Sequence, residues 1–197
     1  MPLQRIGSHI GRITGLSHVI WINGAFSVGK TSVANRLTEQ LEDSFLLDPE
    51  VIGGMLRDHL VPAPLYPGDF QDLPLWRAFT HDAVLHAAEH SESIVVVPMT
   101  VARRDYFDEL IGSIRERVRL DHYTLVASRE TILRREANRS DDTGGWAAKT
   151  VDRVLPELAQ SRYADHIDAE DELASGDRYR HPDSNAQAVT RPRPRCA

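Results

Sequence analysis

Residues 24 to 31 read GAFSVGKT, and this octapeptide constrains the fold more than any other stretch of the 197-residue chain. An apolar run, VIWIN, precedes it, and a segment with apolar residues at a spacing of four, TSVANRL, overlaps its end and continues beyond it. A buried strand, a glycine-rich loop and the amino end of a helix are therefore predicted in that order. Such a loop directs successive backbone N–H groups at one point, where the helix dipole adds positive potential. The octapeptide thus predicts a phosphate-binding loop.

The residue types in this loop suit a polyphosphate. Gly24 and Gly29 allow backbone conformations that a side chain would block. Lys30 brings an ammonium group to the β- and γ-phosphates, and the Thr31 hydroxyl is the expected Mg²⁺ ligand. Only two of the 23 basic residues are lysines, Lys30 and Lys149, and a guanidinium does not replace an ammonium between phosphates. We predict that ATP and Mg²⁺ bind here, with Lys30 catalytic. The predicted contacts are Gly24, Ala25, Phe26, Ser27, Val28, Gly29, Lys30, Thr31 and Ser32.

Apolar runs alternate with helical patterns along the rest of the chain, which is typical of an α/β fold with a parallel sheet. The predicted strands are 19–23, 44–47, 93–97, 123–127 and 166–169. The predicted helices after the first are 50–60, 75–90, 104–117, 129–139 and 146–158. In the helix at 50–60 we expect Val51, Met55 and Leu56 to face inward. The pattern predicts a P-loop NTPase three-layer sandwich, with a five-stranded parallel sheet, helices on both faces and a short lid.

The chain length and its segments predict one main domain. We expect an N-terminal extension at 1–17, a domain at 18–180 and a mobile C-terminal tail at 181–197, where Arg and Pro alternate. The string RSDDTGGWAAKT combines turn-forming residues with two glycines before a new helix. It predicts a lid at about 139–150 that closes over the phosphates and excludes water.

Composition excludes several classes of protein. The formal net charge of −6 argues against nucleic acid as the main partner. No apolar run approaches the roughly 20 residues that span a bilayer. The only cysteine is Cys196, which forms no disulfide within the chain and fits a reducing compartment. We expect a cytoplasmic protein, either a monomer or a homodimer, that acts on a small molecule.

Asp48 is the candidate for the catalytic base and for contact with the acceptor. It follows the second strand, and the carboxyl ends of parallel strands border the ligand crevice of open α/β sheets. There it could take a proton from an acceptor hydroxyl or hold a Mg²⁺-bound water. Asp-Pro-Glu is also a complete helix start with Asp48 as N-cap, and the two roles are compatible. Thr100 ends the third strand where many P-loop NTPases carry the Asp that holds Mg²⁺ through water, so Asp48 is the candidate to replace it.

Seven strings, taken together, resemble the tunicamycin-resistance protein family, ATP-binding proteins of the P-loop kinase superfamily. They are IWINGAFSVGKT, DPE, PLWRAF, VVVPMT, YFDELIG, TLVASRETILRR and WAAK, and the resemblance runs in order over residues 19–167. It implies a core similar to the nucleoside-monophosphate kinases that binds ATP and protects against tunicamycin. That antibiotic is a uracil nucleoside extended by sugars and a fatty acyl chain.

The resemblance also implies roles for three arginines. The string GMLR resembles the stretch by which nucleotide kinases contact their acceptor, so Arg57 becomes a substrate-side candidate. Arg135 and Arg139 resemble the pair that flanks the lid and touches the nucleotide and its phosphates, and at a spacing of four they share a helix face. Arg139 is the candidate to stabilise the transferring phosphoryl group. The alternative is a solvated helix face with Glu130 and Glu136.

Trp76, Arg77 and Phe79 lie on the helix that would border the acceptor pocket. Aromatic side chains there could stack on a uracil or cover an acyl chain, although Trp and Phe at helical spacing also suit a plain core. The leading expectation is an ATP- and Mg²⁺-dependent kinase that phosphorylates a hydroxyl of tunicamycin or a related nucleoside. Two alternatives stay open: a protein that sequesters the drug without chemistry, and a kinase for an ordinary metabolite.

Overall fold

The structure is a computed structural model, and it describes residues 18–138, 146–163 and 165–170. Three predicted segments lie wholly or mostly outside these ranges. They are the N-terminal extension at 1–17, the lid at about 139–150 and the tail at 181–197. Of the lid, only the start of the helix that begins at Trp146 is described.

A parallel sheet of five strands forms the centre of the fold, in the order β2-β3-β1-β4-β5. All seven residues of the middle strand are buried, because it has a strand on each side and helices over both faces. The predicted α/β fold is therefore confirmed. Because all strands run in one direction, the octapeptide that follows β1 lies at the centre of their carboxyl edge. The strands are β1 His18–Gly24, β2 Ser44–Leu46, β3 Ile94–Pro98, β4 Arg119–Val126 and β5 His166–Asp168.

β4 starts earlier than its apolar run predicts. The run at 123–127 placed the strand start at Tyr123, whereas the strand begins at Arg119. Charged and polar residues occupy this early part, yet its backbone pairs with β1 from His18 onward. Pairing with a central strand extends β4 beyond the segment that hydrophobicity marks, because the ladder needs backbone groups rather than apolar side chains.

The connections between strands are helical. α2 continues as a π-helix over Leu56–Leu60, and α4 continues through a π-helical segment, Asp108–Gly112, into Ser113–Arg115. Ser128 caps α5, with its hydroxyl accepting a hydrogen bond from the Thr131 amide at 3.2 Å. The helices are α1 Lys30–Gln40, α2 Pro49–Met55, α3 Pro74–His90, α4 Arg104–Phe107, α5 Arg129–Ala137 and α6 Trp146–Leu158.

Helices cover both faces of the sheet. α1 places Leu37 in the apolar cluster that contains Ile20. α3 and α6 place Val84 and Val151 in the cluster that contains Trp21. Since neighbouring side chains of a strand point to opposite faces, the two clusters lie on opposite sides of β1. This arrangement is the predicted three-layer sandwich.

The inward face of α2 differs from the prediction. Leu56 is fully buried, but Val51 and Met55 are 55% and 40% exposed, so the prediction for these two residues was wrong. The helix instead turns Gly53 toward the core, where the ring of Phe70 lies so close that a Cβ would be 2.6 Å from its nearest atom. A glycine fits this contact, and the apolar side chains on the other side of the helix face outward.

Candidate active site

The octapeptide loop has the conformation of a cradle. Three of its residues have positive φ: Gly24 at 142°, Ser27 at 53° and Gly29 at 111°. A Cβ on Gly24 would lie 2.8 Å from the Leu125 carbonyl oxygen and 2.8 Å from the Val28 Cγ1 atom, so only glycine fits there. Gly29 is the N-cap of α1 and has no side chain with which to cap it. The loop therefore wraps the amino end of α1 as a phosphate-binding loop requires.

Lys30 is held across this loop. Its side chain is 7% exposed, and its ammonium donates a hydrogen bond to the Ala25 carbonyl at 2.9 Å. The carbonyl acceptor carries no charge, and an ammonium binds an anionic oxygen more strongly than a neutral one. The ammonium is therefore placed where a phosphate oxygen can replace the carbonyl as its partner.

Helix α5 contacts both the middle of the loop and the segment that follows β5. The Ser27 hydroxyl donates to the Glu136 carboxylate. The Arg135 guanidinium donates to the Val28 carbonyl at 3.2 Å and to the carbonyls of Ala169 and Glu170 at 2.9 and 3.1 Å. Arg135 thus lies beside the loop, as its predicted role requires, with these bonds going to backbone oxygens. Arg139 lies outside the described residues, and its role stays a prediction.

The first residue of the loop is held by two side chains that the sequence did not single out as functional. Asn23 is fully buried. Its Oδ1 accepts from the amides of Gly24 and Val101 at 2.8 and 2.9 Å, and its Nδ2 donates to the Val101 carbonyl at 2.9 Å. The Thr100 hydroxyl donates to the Gly24 carbonyl at 2.7 Å. These bonds join β1 to the segment after β3, and no local sequence pattern signals a contact over that separation.

Asp48 lies where the helix-start interpretation placed it. Its Oδ1 accepts a hydrogen bond from the Glu50 amide at 2.9 Å, and Pro49 occupies the first position of α2. It follows β2 at the carboxyl edge of the sheet, the edge that also carries the loop. The structure thus supports the N-cap role, and the catalytic role remains a prediction.

The four remaining acceptor-side candidates fall into two groups. Trp76 is fully buried, with its indole N–H donating to the Pro49 carbonyl at 3.0 Å. Its ring is enclosed by the core, in agreement with the plain-core alternative, and contact of Trp76 with a ligand stays a prediction. Phe79 and Arg57 are exposed, and Arg57 pairs with the neighbouring Asp58 at 2.7 Å. These two are accessible to a substrate.

Arg77 connects elements of the protein. Its Nε donates to Glu109 at 2.7 Å, its Nη1 donates to the Gln71 carbonyl at 2.6 Å, and its guanidinium lies 4.2 Å from the ring centroid of Tyr106. The side chain is only 11% exposed. These contacts give Arg77 a role in joining α3 to α4, and its contact with substrate stays a prediction.

Glu170 is a further residue that the sequence did not reveal. Its carboxylate accepts from the Ser128 amide and hydroxyl at 2.6 and 2.7 Å and from the Thr131 hydroxyl at 2.5 Å. These hydrogen bonds, led by the one from the Ser128 amide, lower the pKa of Glu170 to about 2. Glu170 therefore fastens the end of β5 to the start of α5, next to the residues that contact the loop.

The described residues contain neither a cluster of metal ligands nor a helix that could span a membrane. Within residues 18–138, 146–163 and 165–170, no group of three or more His, Cys, Asp or Glu side chains is placed to hold a metal ion. In the same part of the chain, every helix is too short or too polar to cross a bilayer.

Comparison with known proteins identifies the family. The sequence profile of the AAA domain matches residues 19–164. The tunicamycin resistance protein of Deinococcus radiodurans, whose structure is known, has 30% sequence identity to this chain. The two structures superpose with a TM-score of 0.62, and the match covers 76% of this chain and 84% of that one. No protein with a curated function matches the sequence significantly.

Two kinases share the fold at lower identity. A gluconokinase from Sinorhizobium meliloti 1021 is 18% identical, with a TM-score of 0.53 over 78% of this chain and 82% of that one. A shikimate kinase from Bacteroides thetaiotaomicron is 16% identical in sequence, with a TM-score of 0.50 over 77% of this chain and 85% of that one. The fold is therefore kinase-like. The chain therefore belongs to the tunicamycin-resistance protein family, and its AAA domain has a P-loop kinase-like fold.

Proposed function

We propose that this protein is an ATP-dependent phosphotransferase that phosphorylates a hydroxyl of a tunicamycin-like nucleoside antibiotic and thereby confers resistance to it. The observation that carries the proposal is the cradle between β1 and α1, with its left-handed glycines and its enclosed Lys30 ammonium. The 30% identical tunicamycin resistance protein supports the choice of acceptor.

The residues present fit the triphosphate of ATP. The absence of a Cβ at Gly24 lets the loop pack closely against Leu125 and Val28, and the amino end of α1 favours negative charge. Lys30 exchanges the Ala25 carbonyl for a phosphate oxygen, and Thr31, the residue after it, supplies a hydroxyl for Mg²⁺. Bound Mg²⁺ would neutralise charge on the β- and γ-phosphates.

Transfer then requires an acceptor hydroxyl in line with the γ-phosphorus. The acceptor oxygen forms a bond to phosphorus, the bond from phosphorus to the bridging oxygen of ADP breaks, and the hydroxyl proton goes to a base. Asp48 is the proposed base, since it follows β2 at the same edge of the sheet as the cradle. A carboxylate has about four acceptor positions, so the hydrogen bond from the Glu50 amide to Oδ1 is compatible with this role.

The acceptor side of the site carries an unusual concentration of apolar surface. Every large hydrophobic side chain that is exposed within the described residues belongs to β2 itself or to the segment from β2 to the first turns of α3. Clustered exposed apolar residues on a soluble protein mark contact with a ligand or a partner, and an acyl-bearing nucleoside offers a matching apolar part. The residues are Phe45, Val51, Met55, Leu60, Leu65, Leu75 and Phe79.

Charges on this side favour an uncharged acceptor. Arg77 pairs with Glu109, and Arg103 contacts Asp105 at 2.5 Å and Asp72 at 3.2 Å. A substrate phosphate or carboxylate would have to displace these carboxylates, whereas a sugar or nucleoside hydroxyl would not. This observation favours the antibiotic over a metabolite that carries an anionic group.

Mass spectrometry tests the proposal. After incubation with Mg-ATP and tunicamycin, the wild-type protein should raise the mass of the drug by one phosphoryl group, about 80 daltons. Lys30→Ala should abolish the gain, and Lys30→Arg should not restore it, because a guanidinium has the wrong shape for this position. Asp48→Asn should lower kcat by about 10²-fold or more if Asp48 is the base.

The same assay separates the alternatives. Saturable tunicamycin binding without a mass gain would identify a protein that sequesters the drug. ADP release with a panel of metabolite hydroxyls, but none with tunicamycin, would identify a metabolic kinase. Absence of ATP binding by the wild-type protein would overturn the proposal altogether.

A further inference from the structure

We propose that Thr100 and Asn23 are positioning residues that fix the first residue of the cradle, Gly24, in the conformation that accepts a nucleotide. The inference rests on the proposed function, because it concerns how the cradle binds ATP. It assigns to Thr100 a role on the protein backbone, at a position where many proteins of this fold carry a metal-directed carboxylate.

Both backbone polar groups of Gly24 are bonded to these side chains. Its amide donates to Asn23 Oδ1 at 2.8 Å, and its carbonyl accepts from the Thr100 hydroxyl at 2.7 Å. With φ at 142°, Gly24 has a conformation that few other residues adopt, and its peptide groups set the direction of the loop that follows. Two side chains acting on opposite ends of one residue leave its orientation little freedom.

Asn23 joins this contact to the segment after β3. Its amide group exchanges hydrogen bonds with the backbone of Val101, donating to the carbonyl and accepting from the N–H, each at 2.9 Å. The Nδ2 atom also lies 3.3 Å from His122 Nε2. Only a side-chain amide offers an acceptor and two donors in this geometry. An aspartate would place a carboxylate against the Val101 carbonyl and the imidazole.

His122 suits its place as the acceptor in this pair. It is buried, and burial is the main reason that its pKa is lowered to about 3, with smaller contributions from Arg115 and His166. The imidazole is therefore neutral at physiological pH, and its Nε2 can accept the Asn23 hydrogen. The network around Gly24 is thus complete without a charged group.

The dependence of nucleotide binding on Mg²⁺ separates this role from a metal-directed one, because a hydroxyl that donates its hydrogen still has acceptor lone pairs. The Thr100 hydroxyl has one hydrogen, and that hydrogen is directed at the Gly24 carbonyl. If Thr100 acts on the loop, its loss weakens nucleotide binding whether or not Mg²⁺ is present. If it holds a Mg²⁺-bound water, its loss weakens binding only when Mg²⁺ is present.

Binding of a fluorescent ATP analogue to the full chain, in Mg²⁺ and in EDTA, decides between these outcomes. Thr100→Val keeps the volume and removes the hydroxyl, and Thr100→Ser keeps the hydroxyl. We expect Thr100→Val to raise Kd about fivefold in both buffers, the factor that one net hydrogen bond provides. Thr100→Ser should remain close to wild type. Asn23→Asp should weaken binding further, and thermal unfolding monitored by circular dichroism establishes that each variant is folded.

Each result bears on the inference. Equal Kd values for wild type and Thr100→Val in both buffers would overturn it, as would a loss confined to the Mg²⁺ buffer. A Thr100→Ser protein as weak as Thr100→Val would also contradict it, because the hydroxyl would then be irrelevant. If the wild-type protein binds no ATP analogue, the proposed function fails first, and that result is distinct from wild-type binding that the variants leave unchanged.

Discussion

Substitution of Gly24 by alanine is the sharpest test of the cradle. A Cβ at this position would lie 2.8 Å from the Leu125 carbonyl oxygen, 2.8 Å from Val28 Cγ1 and 3.3 Å from Leu125 Cβ. The first of these atoms belongs to the backbone of β4, which is paired with β1 at this level and cannot shift without disturbing the sheet. The φ of 142° adds backbone strain for any residue with a side chain.

The cost follows from these two effects. Overpacking of a closely packed site costs about 1–3 kcal/mol, and a residue held in a sparsely populated backbone region costs about 1–3 kcal/mol. Gly24→Ala should therefore reduce the free energy of unfolding by about 2–6 kcal/mol, out of the 5–15 kcal/mol typical of a domain. Because the loop relieves part of the clash by moving, nucleotide affinity should fall as well.

Two other glycines serve as controls. Gly68 has a φ of 92°, and among the described residues nothing lies within 4 Å of a Cβ built there, so Gly68→Ala tests the strain alone. A Cβ on Gly54, within α2, also meets nothing in the described part of the chain. Gly54→Ala should be neutral or stabilising by about 0.5–1 kcal/mol. Urea denaturation gives the three values, and a Gly24→Ala protein no less stable than Gly68→Ala would refute the reasoning.

Two further predictions concern pH. His122 has its pKa lowered to about 3, mainly by burial, so the unfolded chain binds a proton below about pH 6.5 that the native protein does not. Between about pH 8 and about pH 5 the wild-type protein should therefore lose about 2 kcal/mol of unfolding free energy, and the His122→Gln variant should not show this loss. The control is His59→Gln, at an exposed histidine, which should behave as wild type. Parallel pH profiles for wild type and His122→Gln would contradict the prediction. Glu170 has its pKa lowered to about 2, chiefly by the Ser128 amide, so its stabilisation is present above its unfolded pKa and is lost as pH falls toward 2. Glu170→Gln should be less stable than wild type at neutral pH, with a gap that closes on acidification, and a gap constant with pH would disprove the assignment.

The parts of the fold that the sequence predicts are those encoded locally. The strand, loop and helix around the octapeptide were predicted correctly because glycine spacing and apolar periodicity act within a few residues of each other. β5 was predicted over 166–169, and it forms over His166–Asp168, where its backbone pairs with β4. The start of β4 was misplaced, since charged residues such as Arg119 mask a segment whose position depends on pairing with β1.

The parts that escaped prediction depend on contacts between distant segments. Val51 and Met55 were assigned to the core by helical spacing, but the approach of Phe70 to Gly53 decides which side of α2 is buried. Trp76 was a candidate either for ligand contact or for the core. Its indole N–H donates to the Pro49 carbonyl, so the side chain of α3 packs against the start of α2. Periodicity indicates that a helix has an apolar face, and it does not specify what covers that face.

The two halves of the site differ in how completely the protein holds them. On the loop side, Thr100 is hydrogen-bonded to Gly24 and Arg135 to Val28, so the first residue and the middle of the loop both contact the body of the fold. A loop arranged before binding loses little freedom when it takes up an anion, and its dipoles need not reorient during transfer. On the acceptor side, Val51 and Phe79 face outward, and a ligand with an apolar part would give them contacts that they do not make with the sheet. Specificity for the acceptor should therefore respond to substitutions between β2 and α3, while nucleotide binding should respond to those around Gly24.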